Sequence, residues 1–315
     1  MSDGKNENAT GLRDRLLSAL LYLLPQQLIS RLTFRLARAH SPLKKPVLRW
    51  FIRHYQVDMS EAVEPDIDRY GDFNSFFTRA LKPELRPVDE ANNAVISPVD
   101  GTVSQIGSFE QGMLLQAKGH YYTLHDLLGG QHCLTSQFTD GRFATLYLSP
   151  RDYHRIHMPI HGKLKTMIHI PGRLFSVAPH TTRTIPRLFA RNERVVCCFE
   201  NADTCFAMVL VGAINVSAIE TVWHGLVRSN HRPVMAEYDY TDRNIELAKG
   251  QEMGRFNLGS TVILITSNRI SWLPDMLEGT SLRYGQRLGT VNAFPEQHHA
   301  DSPASVSEPQ VTADN

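Results

Sequence analysis

Cysteine is scarce in this sequence, 4 in 315 residues. The positions Cys133, Cys197, Cys198 and Cys205 match neither a zinc pattern nor a recognisable disulfide framework. They are expected as small buried apolar side chains in a reducing compartment. Long apolar runs are also missing. The longest, Leu16 to Leu24, includes Ser18 and stops at Pro25, whereas a bilayer-spanning helix needs about 20 residues. The polar opening MSDGKNENAT leads into no signal-peptide pattern. No G-x-G-x-x-G follows a strand-like run, so a dinucleotide fold is not expected. No internal repeat is present.

Net charge is nearly absent too, at +1, but it is unevenly spread. Between Gly11 and Tyr55 stand nine basic residues (Arg13, Arg15, Arg31, Arg35, Arg38, Lys44, Lys45, Arg49, Arg53) against one acid, Asp14. A basic arm on a near-neutral protein calls for an anionic partner. Residues 11–24 and 26–39 read as two helices split by Pro25. In the second, Leu28, Ile29, Leu32, Leu36 and Ala39 share one face, with Arg31, Arg35 and Arg38 in a row beside it. That pattern suits a helix lying in a lipid headgroup layer, its arginines reaching phosphates. It equally describes a helix packed on its own domain or on a second copy. The leucine density and clustered charge favour the membrane, and the large apolar face without interleaved aromatics disfavours nucleic acid.

Residues 41–90 are proline-spaced and read as short helices and a connector. From Ala94 onward β-branched and aromatic runs alternate with turn residues: AVISPVDGTVSQIG, FATLYLSP, CFAMVLVGAINVSAIETVW, STVILIT and LGTVNAF. The expected class is α+β, a mostly antiparallel, barrel-sandwich-like β core with N-terminal amphipathic helices. The expected divisions are a disordered 1–10, a helical membrane-association region 11–60, a catalytic domain 61–294 and a disordered, polar tail 295–315.

YLSPRDYHRIHMPIHG holds His154, His157 and His161. Pro159 interrupts any single helix that would present all three, and no H-E-x-x-H is present, so no metal is expected. A histidine can serve as a general base near neutral pH. Asp100 sits in the turn of SPVDGTV, and Ser260 in RFNLGSTVIL. A carboxylate, an imidazole and a hydroxyl are the parts of a nucleophilic triad. Ser260 is not in a G-x-S-x-G elbow, however, and spacing alone does not bring the three together.

The stretches FFTRALKPELRPVD, SPVDGTVSQIG, YLSPRDYHRIHMP, PGRLFSVAP, LFARNERV, VGAINVSAIETVW and EMGRFNLGSTVI, in this order, resemble the phosphatidylserine decarboxylase proenzymes of bacteria, the membrane-associated type. The resemblance covers roughly residues 10–292, and Leu258-Gly259-Ser260-Thr261 matches the family's LGST cleavage motif. In SVAP, Ala178 stands where the family commonly has Asn.

The resemblance implies a one-time self-cleavage. Ser260 attacks the carbonyl of Gly259, activated by His157 as base with Asp100 orienting it. The resulting ester eliminates, giving chains 1–259 and 260–315 with dehydroalanine at position 260, which hydrolyses with loss of ammonia to a covalent pyruvoyl group. That group condenses with the serine amine of phosphatidylserine as a Schiff base, accepts electrons as CO2 leaves, and releases phosphatidylethanolamine. His154 is expected to contact the pyruvoyl group or the substrate, or to donate the proton; the two histidines could exchange roles. The implied partners are phosphatidylserine and an anionic membrane surface, with both chains staying associated and pairing as a homodimer of processed heterodimers. The implied place is the cytoplasmic face of the bacterial membrane, peripherally. A Ser-His-Asp lipid hydrolase and a non-enzymatic membrane adaptor are the alternatives.

Overall fold

The computed structural model describes residues 11–117, 119–130, 137–138, 140–214, 218–227, 234–257 and 261–292. Leu258, Gly259 and Ser260, together with Cys133 and the two expected disordered tips, lie outside the described residues.

Three helices open the described chain: α1 (Leu12–Leu23), α2 (Gln26–Ala37) and α3 (Lys44–Tyr55). Pro25 separates the first two, and its missing N–H is no loss at a helix start. The third is longer than the short pieces expected between 41 and 90. It has Pro46 in its first turn, where proline is tolerated, and ends on Gln56 in the left-handed conformation at φ 54°. A short helix, α4 (Phe73–Phe77), follows, started by a capping box between Asp72 and Ser75.

The amphipathic face expected on α2 is present but faces outward. The helix buries Gln26, Ser30 and Ala37, while Leu28, Leu32 and Leu36 are 65%, 56% and 64% exposed. Burial of Gln26 is explained by its hydrogen bonds: its amide donates to Leu21 O at 2.6 Å and accepts from Leu174 N at 2.8 Å. The outward row continues through Leu43, Val47 and Trp50, the last two on α3.

The catalytic core expected from the strand texture is a nine-stranded sheet. Its order runs Ala236–Asp239, Gly162–Ile170, Arg194–Glu200, Cys205–Val211, Thr261–Ser267, Gly141–Tyr147, Gly101–Phe109, Ser281–Leu282, with Glu246–Leu247 also pairing with Gly162–Ile170. Every ladder in it is antiparallel. The central strand, TVILITS, is buried from Thr261 through Thr266. A nearly continuous β-branched and aliphatic run is what a strand covered on both faces requires. Cys197 and Cys198 are buried in Arg194–Glu200, as small apolar residues are expected to be.

A second sheet carries the chemistry-bearing histidine run. It orders Gly225–Val227, Ile219–Thr221, Glu252–Phe256 and Arg155–His157, again antiparallel. Its close approach at Gly254 depends on the absence of a side chain, since a Cβ there would meet Glu220 O at 2.4 Å. Gly254→Val should therefore cost about 2 kcal/mol through forced strand separation. Chemical denaturation measures this, and an unchanged midpoint would show that the sheet relaxes freely.

Candidate active site

The position of the Gly259–Ser260 bond is bracketed by described residues. Upstream, Asn257 donates from its backbone and its side chain to Ala218 O, both at 3.1 Å, and accepts from the Arg38 guanidinium at 3.1 Å. Downstream, Thr261 enters the central strand opposite Tyr147 on one side and Val211 on the other. Its buried hydroxyl has no hydrogen-bond partner among the described residues.

A cavity of about 140 Å³ opens beside this point. It is walled by Phe51 and Tyr55 of α3, Phe77 of α4, Tyr147, Leu148 and Pro150, Ser176 to Ala178, and Ala213 with Ile214. Tyr147 flanks Thr261 in the sheet, and Ala213 continues two residues beyond Val211, so both walls grow out of the strands that hold Thr261. The lining is mostly apolar with a few polar atoms, as ligand sites are. Ala178 is part of it, so the position where the family commonly has Asn is in the cavity wall.

His157 ends a strand of the second sheet and is 7% exposed. Its Nδ1–H donates to Gly250 O at 2.9 Å, which leaves Nε2 as the acceptor for the Tyr153 hydroxyl at 3.1 Å. The ring stacks on Tyr284 with centroids 3.7 Å apart. Burial pushes its pKa down to about 4, so the imidazole is neutral at pH 7 with its lone pair on Nε2. That is the tautomer a general base needs.

The expected direct orientation of His157 by Asp100 is not the arrangement observed. Asp100 accepts from Arg86 Nε at 3.0 and 3.1 Å, from Arg86 Nη2 at 2.6 Å, and from Tyr284 N at 2.8 Å. Glu61 accepts from the same Nη2 at 2.7 Å and from Nη1 at 3.3 Å. A guanidinium fork outcompetes an imidazole for a buried carboxylate because it delivers two aligned charge-assisted bonds. Gly250 O supplies the orientation of His157 instead. Tyr284 is in contact with both.

His154 is fully buried and stacks on Phe77, a cavity-wall residue, at 4.0 Å. Its Nε2–H donates to Ser149 O at 3.1 Å, and its Nδ1 has no partner among the described residues. Burial, and then the nearby Arg79 charge, push its pKa down to about 3. A neutral ring whose only N–H is already given to a carbonyl suits contact or acceptance better than proton donation. Arg79 itself is 4% exposed and donates to Arg151 O at 3.1 Å, and its Nε and Nη1 have no hydrogen-bond partner among the described residues. His161, the third of the run, is at the surface, 3.9 Å from Glu246. The three histidines thus take separate environments.

Phosphatidylserine decarboxylase is the description of the family model that matches residues 73–290, and a second model, described as PSD, matches residues 16–56. The chain belongs to the phosphatidylserine decarboxylase family. The phosphatidylserine decarboxylase proenzyme of Alkalilimnicola ehrlichii is 54% identical over 264 residues, covering 83% of this chain and 91% of that protein. Proenzymes of the same name from Bordetella pertussis and Dechloromonas aromatica are 50% and 49% identical, covering 90% and 88% of this chain and 98% of each of theirs. Like other members of this family, the chain is a decarboxylase made as a self-cleaving proenzyme.

Sequence reasoning missed Arg86, Tyr153, Gly250 and Tyr284. Arg86 and Tyr153 stand inside the stretches that carried the family resemblance, LKPELRPVD and PRDYHRIHMP, but nothing in their spacing announces a contact. Truncating one member of the buried pair exposes its worth. Arg86→Met should cost about 3 kcal/mol, because Asp100 loses its counter-charge, and the double change Arg86→Met with Asp100→Leu should recover part of that loss. Denaturation midpoints of the three proteins check this; equal losses in the single and double variants would contradict it.

Proposed function

We propose that this phosphatidylserine decarboxylase cuts itself between Gly259 and Ser260, with His157 as the base, and that Ser260 becomes a covalent pyruvoyl group facing the cavity. The observation that carries the reading is the convergence at Thr261. The residue after the LGST serine is fixed in the central strand, beside a mostly apolar cavity whose wall residue Phe77 stacks on buried, neutral His154. The cavity walls, and a Thr261 hydroxyl without a partner among the described residues, are compatible with a small ketone at position 260. Such a group supplies an electron sink for the carbanion left by decarboxylation.

The chain's own residues have definite tasks in this reading. His157 Nε2 takes the Ser260 proton once Tyr153 releases it, and Gly250 O steadies the imidazolium through Nδ1–H. His154, behind Phe77, offers Nδ1 toward the substrate as an acceptor. The mostly apolar wall, which includes Phe51, Phe77 and Ala213, lowers the polarity around the reacting carbon. A lipid hydrolase would use the same three residues, but family membership disfavours it and equally disfavours the adaptor reading.

The substrate is a lipid, and the outer face of the helical arm supports a place on the membrane surface. Among the described residues no helix is long and apolar enough to cross a bilayer. Leu28, Leu32 and Leu36, then Val47 and Trp50, form an exposed apolar band edged by the exposed Arg31, Arg35, Arg49 and Arg53. Each basic residue near an anionic surface contributes about 1 kcal/mol. α3 links this band to chemistry: Val47 and Trp50 face out while Phe51 and Tyr55 line the cavity. A headgroup could thus enter while acyl chains stay in the bilayer. Attachment at the cytoplasmic face, and pairing of processed molecules into a dimer, rest on the family resemblance.

Denaturing gels with mass analysis test the cut. Two chains ending at Gly259 and beginning at a blocked residue 260 are expected, and Ser260→Ala should remain one chain without activity. An intact wild-type chain that decarboxylates phosphatidylserine would refute the mechanism. For the membrane face, replacing Leu28, Leu32 and Leu36 together by Ser should reduce co-sedimentation with phosphatidylserine-containing vesicles at least about tenfold. Undiminished binding would place the membrane contact elsewhere.

A further inference from the structure

We propose that Tyr284 is a positioning residue for His157, carrying the hold of the Arg86–Asp100 pair to the imidazole through its backbone and its ring. The inference rests on the reading of His157 as the base of self-cleavage and adds how that base is kept in place.

Three contacts converge on Tyr284. Its backbone N–H donates to Asp100 Oδ1 at 2.8 Å, on the carboxylate already clamped by Arg86. Its ring covers His157 at 3.7 Å with an interplanar angle of 17°. Its hydroxyl donates at 2.8 Å to Gly250 O, the same carbonyl that receives His157 Nδ1–H. The imidazole is therefore fixed in its plane by a carbonyl and across its face by a ring, and both restraints meet in one side chain.

The strap bearing Tyr284 is itself immobilised. Gly285 N donates to Ser97 O at 3.1 Å, Ser97 N donates to Gln286 O at 2.7 Å, and Asp89 N donates to Gly285 O at 3.0 Å. Gly285 has φ +90°, and a Cβ there would meet Pro87 O at 2.6 Å, so only glycine lets the strap lie this close. Asp100 thus acts at one remove. It fixes the strap, and the strap fixes the ring over His157. Tyr284 is also downstream of the proposed cut while His157, Gly250 and Asp100 are upstream. After cleavage the stack would join the two chains.

The Tyr284 ring also shuts water away from His157. The other groups facing the imidazole are Tyr153 from its own turn, Glu252 paired opposite it and bonded to Arg155 at 2.9 Å, and Asp100 with Arg86. The carboxylates stabilise the imidazolium, so the downward shift comes from burial first. Removing the ring lets water reach the imidazole and moves its pKa up toward the ordinary value.

Two measurements separate this inference from the reading beneath it. In full-length Ser260→Ala protein, His157 is titrated by NMR. Tyr284→Ala should raise its midpoint by about one pH unit or more, and Tyr284→Phe, which keeps the ring, should leave it within a few tenths. An unchanged midpoint in Tyr284→Ala overturns the positioning role. With Ser260 restored, chains made by cell-free synthesis are chased on gels. Tyr284→Ala should be cut about tenfold more slowly at pH 7. Tyr284→Phe should be cut within about threefold of the wild-type rate, since only the hydroxyl bond is lost. Wild-type cutting by Tyr284→Ala also overturns the proposal. Normal cutting by His157→Gln instead removes His157 as the base, and leaves the NMR result to stand by itself.

Discussion

The strand Thr261–Ser267 is hydrogen-bonded along both edges and buried through Thr266, and the site depends on that double constraint. A strand with neighbours on both sides cannot slip by one residue without turning every side chain to the opposite face. Thr261 is therefore fixed opposite Tyr147 and Val211, and the loops leaving those two strands become the cavity walls. If the chain is cut before Ser260, the same ladders become contacts between two chains. Strands Gly141–Tyr147 and Cys205–Val211 of the upstream chain would enclose the first strand of the downstream one, which gives continued association a physical basis. The segment upstream is tied separately, by Asn257 to Ala218 and Arg38.

Burial then divides the two histidines of one short run. Both are held neutral, but their hydrogen bonds differ in consequence. His157 gives Nδ1–H to a backbone carbonyl and presents Nε2 to a hydroxyl, an exchangeable partner. His154 gives Nε2–H to Ser149 O and presents Nδ1 to nothing among the described residues. The first arrangement is poised to receive a proton from a neighbouring hydroxyl. The second leaves an acceptor nitrogen on a ring stacked against Phe77. An imidazole's task is set by which nitrogen the backbone has already claimed.

Much of the architecture was legible because it follows from periodicity. The split at Pro25, the apolar strand TVILITS and the change to β texture after Ala94 all appear as local patterns, and the structure has them. What stayed hidden was non-local. The apolar stripe on α2 was plain, but not that the helix would bury Gln26 and Ser30 and turn its leucines out. That inversion depends on Leu174 N and Leu21 O being there to satisfy the glutamine. Asp100, His154 and His157 could be named from the family resemblance. The interposition of Arg86 and Tyr284 could not, because residues 86, 100, 157, 250 and 284 meet only through the fold.

Arg38 shows the same limit and ties the arm to the site. In the sequence it belongs to a row with Arg31 and Arg35, all three apparently available to lipid phosphates. In the structure Arg31 and Arg35 are exposed, whereas the Arg38 guanidinium lies 3.8 Å over the Phe34 ring and donates to Asn257. The last turn of α2 therefore looks two ways. One side presents Leu36 outward, and at the other Arg38 holds the Asn257 side chain just ahead of the proposed cut. α3 repeats the arrangement with Trp50 outside and Phe51 in the cavity wall. An arm that only anchored the protein would need no contact with the reacting segment. Phe51 and Tyr55 stand in the cavity wall and Arg38 bonds Asn257, so deleting the arm would open the cavity as well as remove its exposed apolar face.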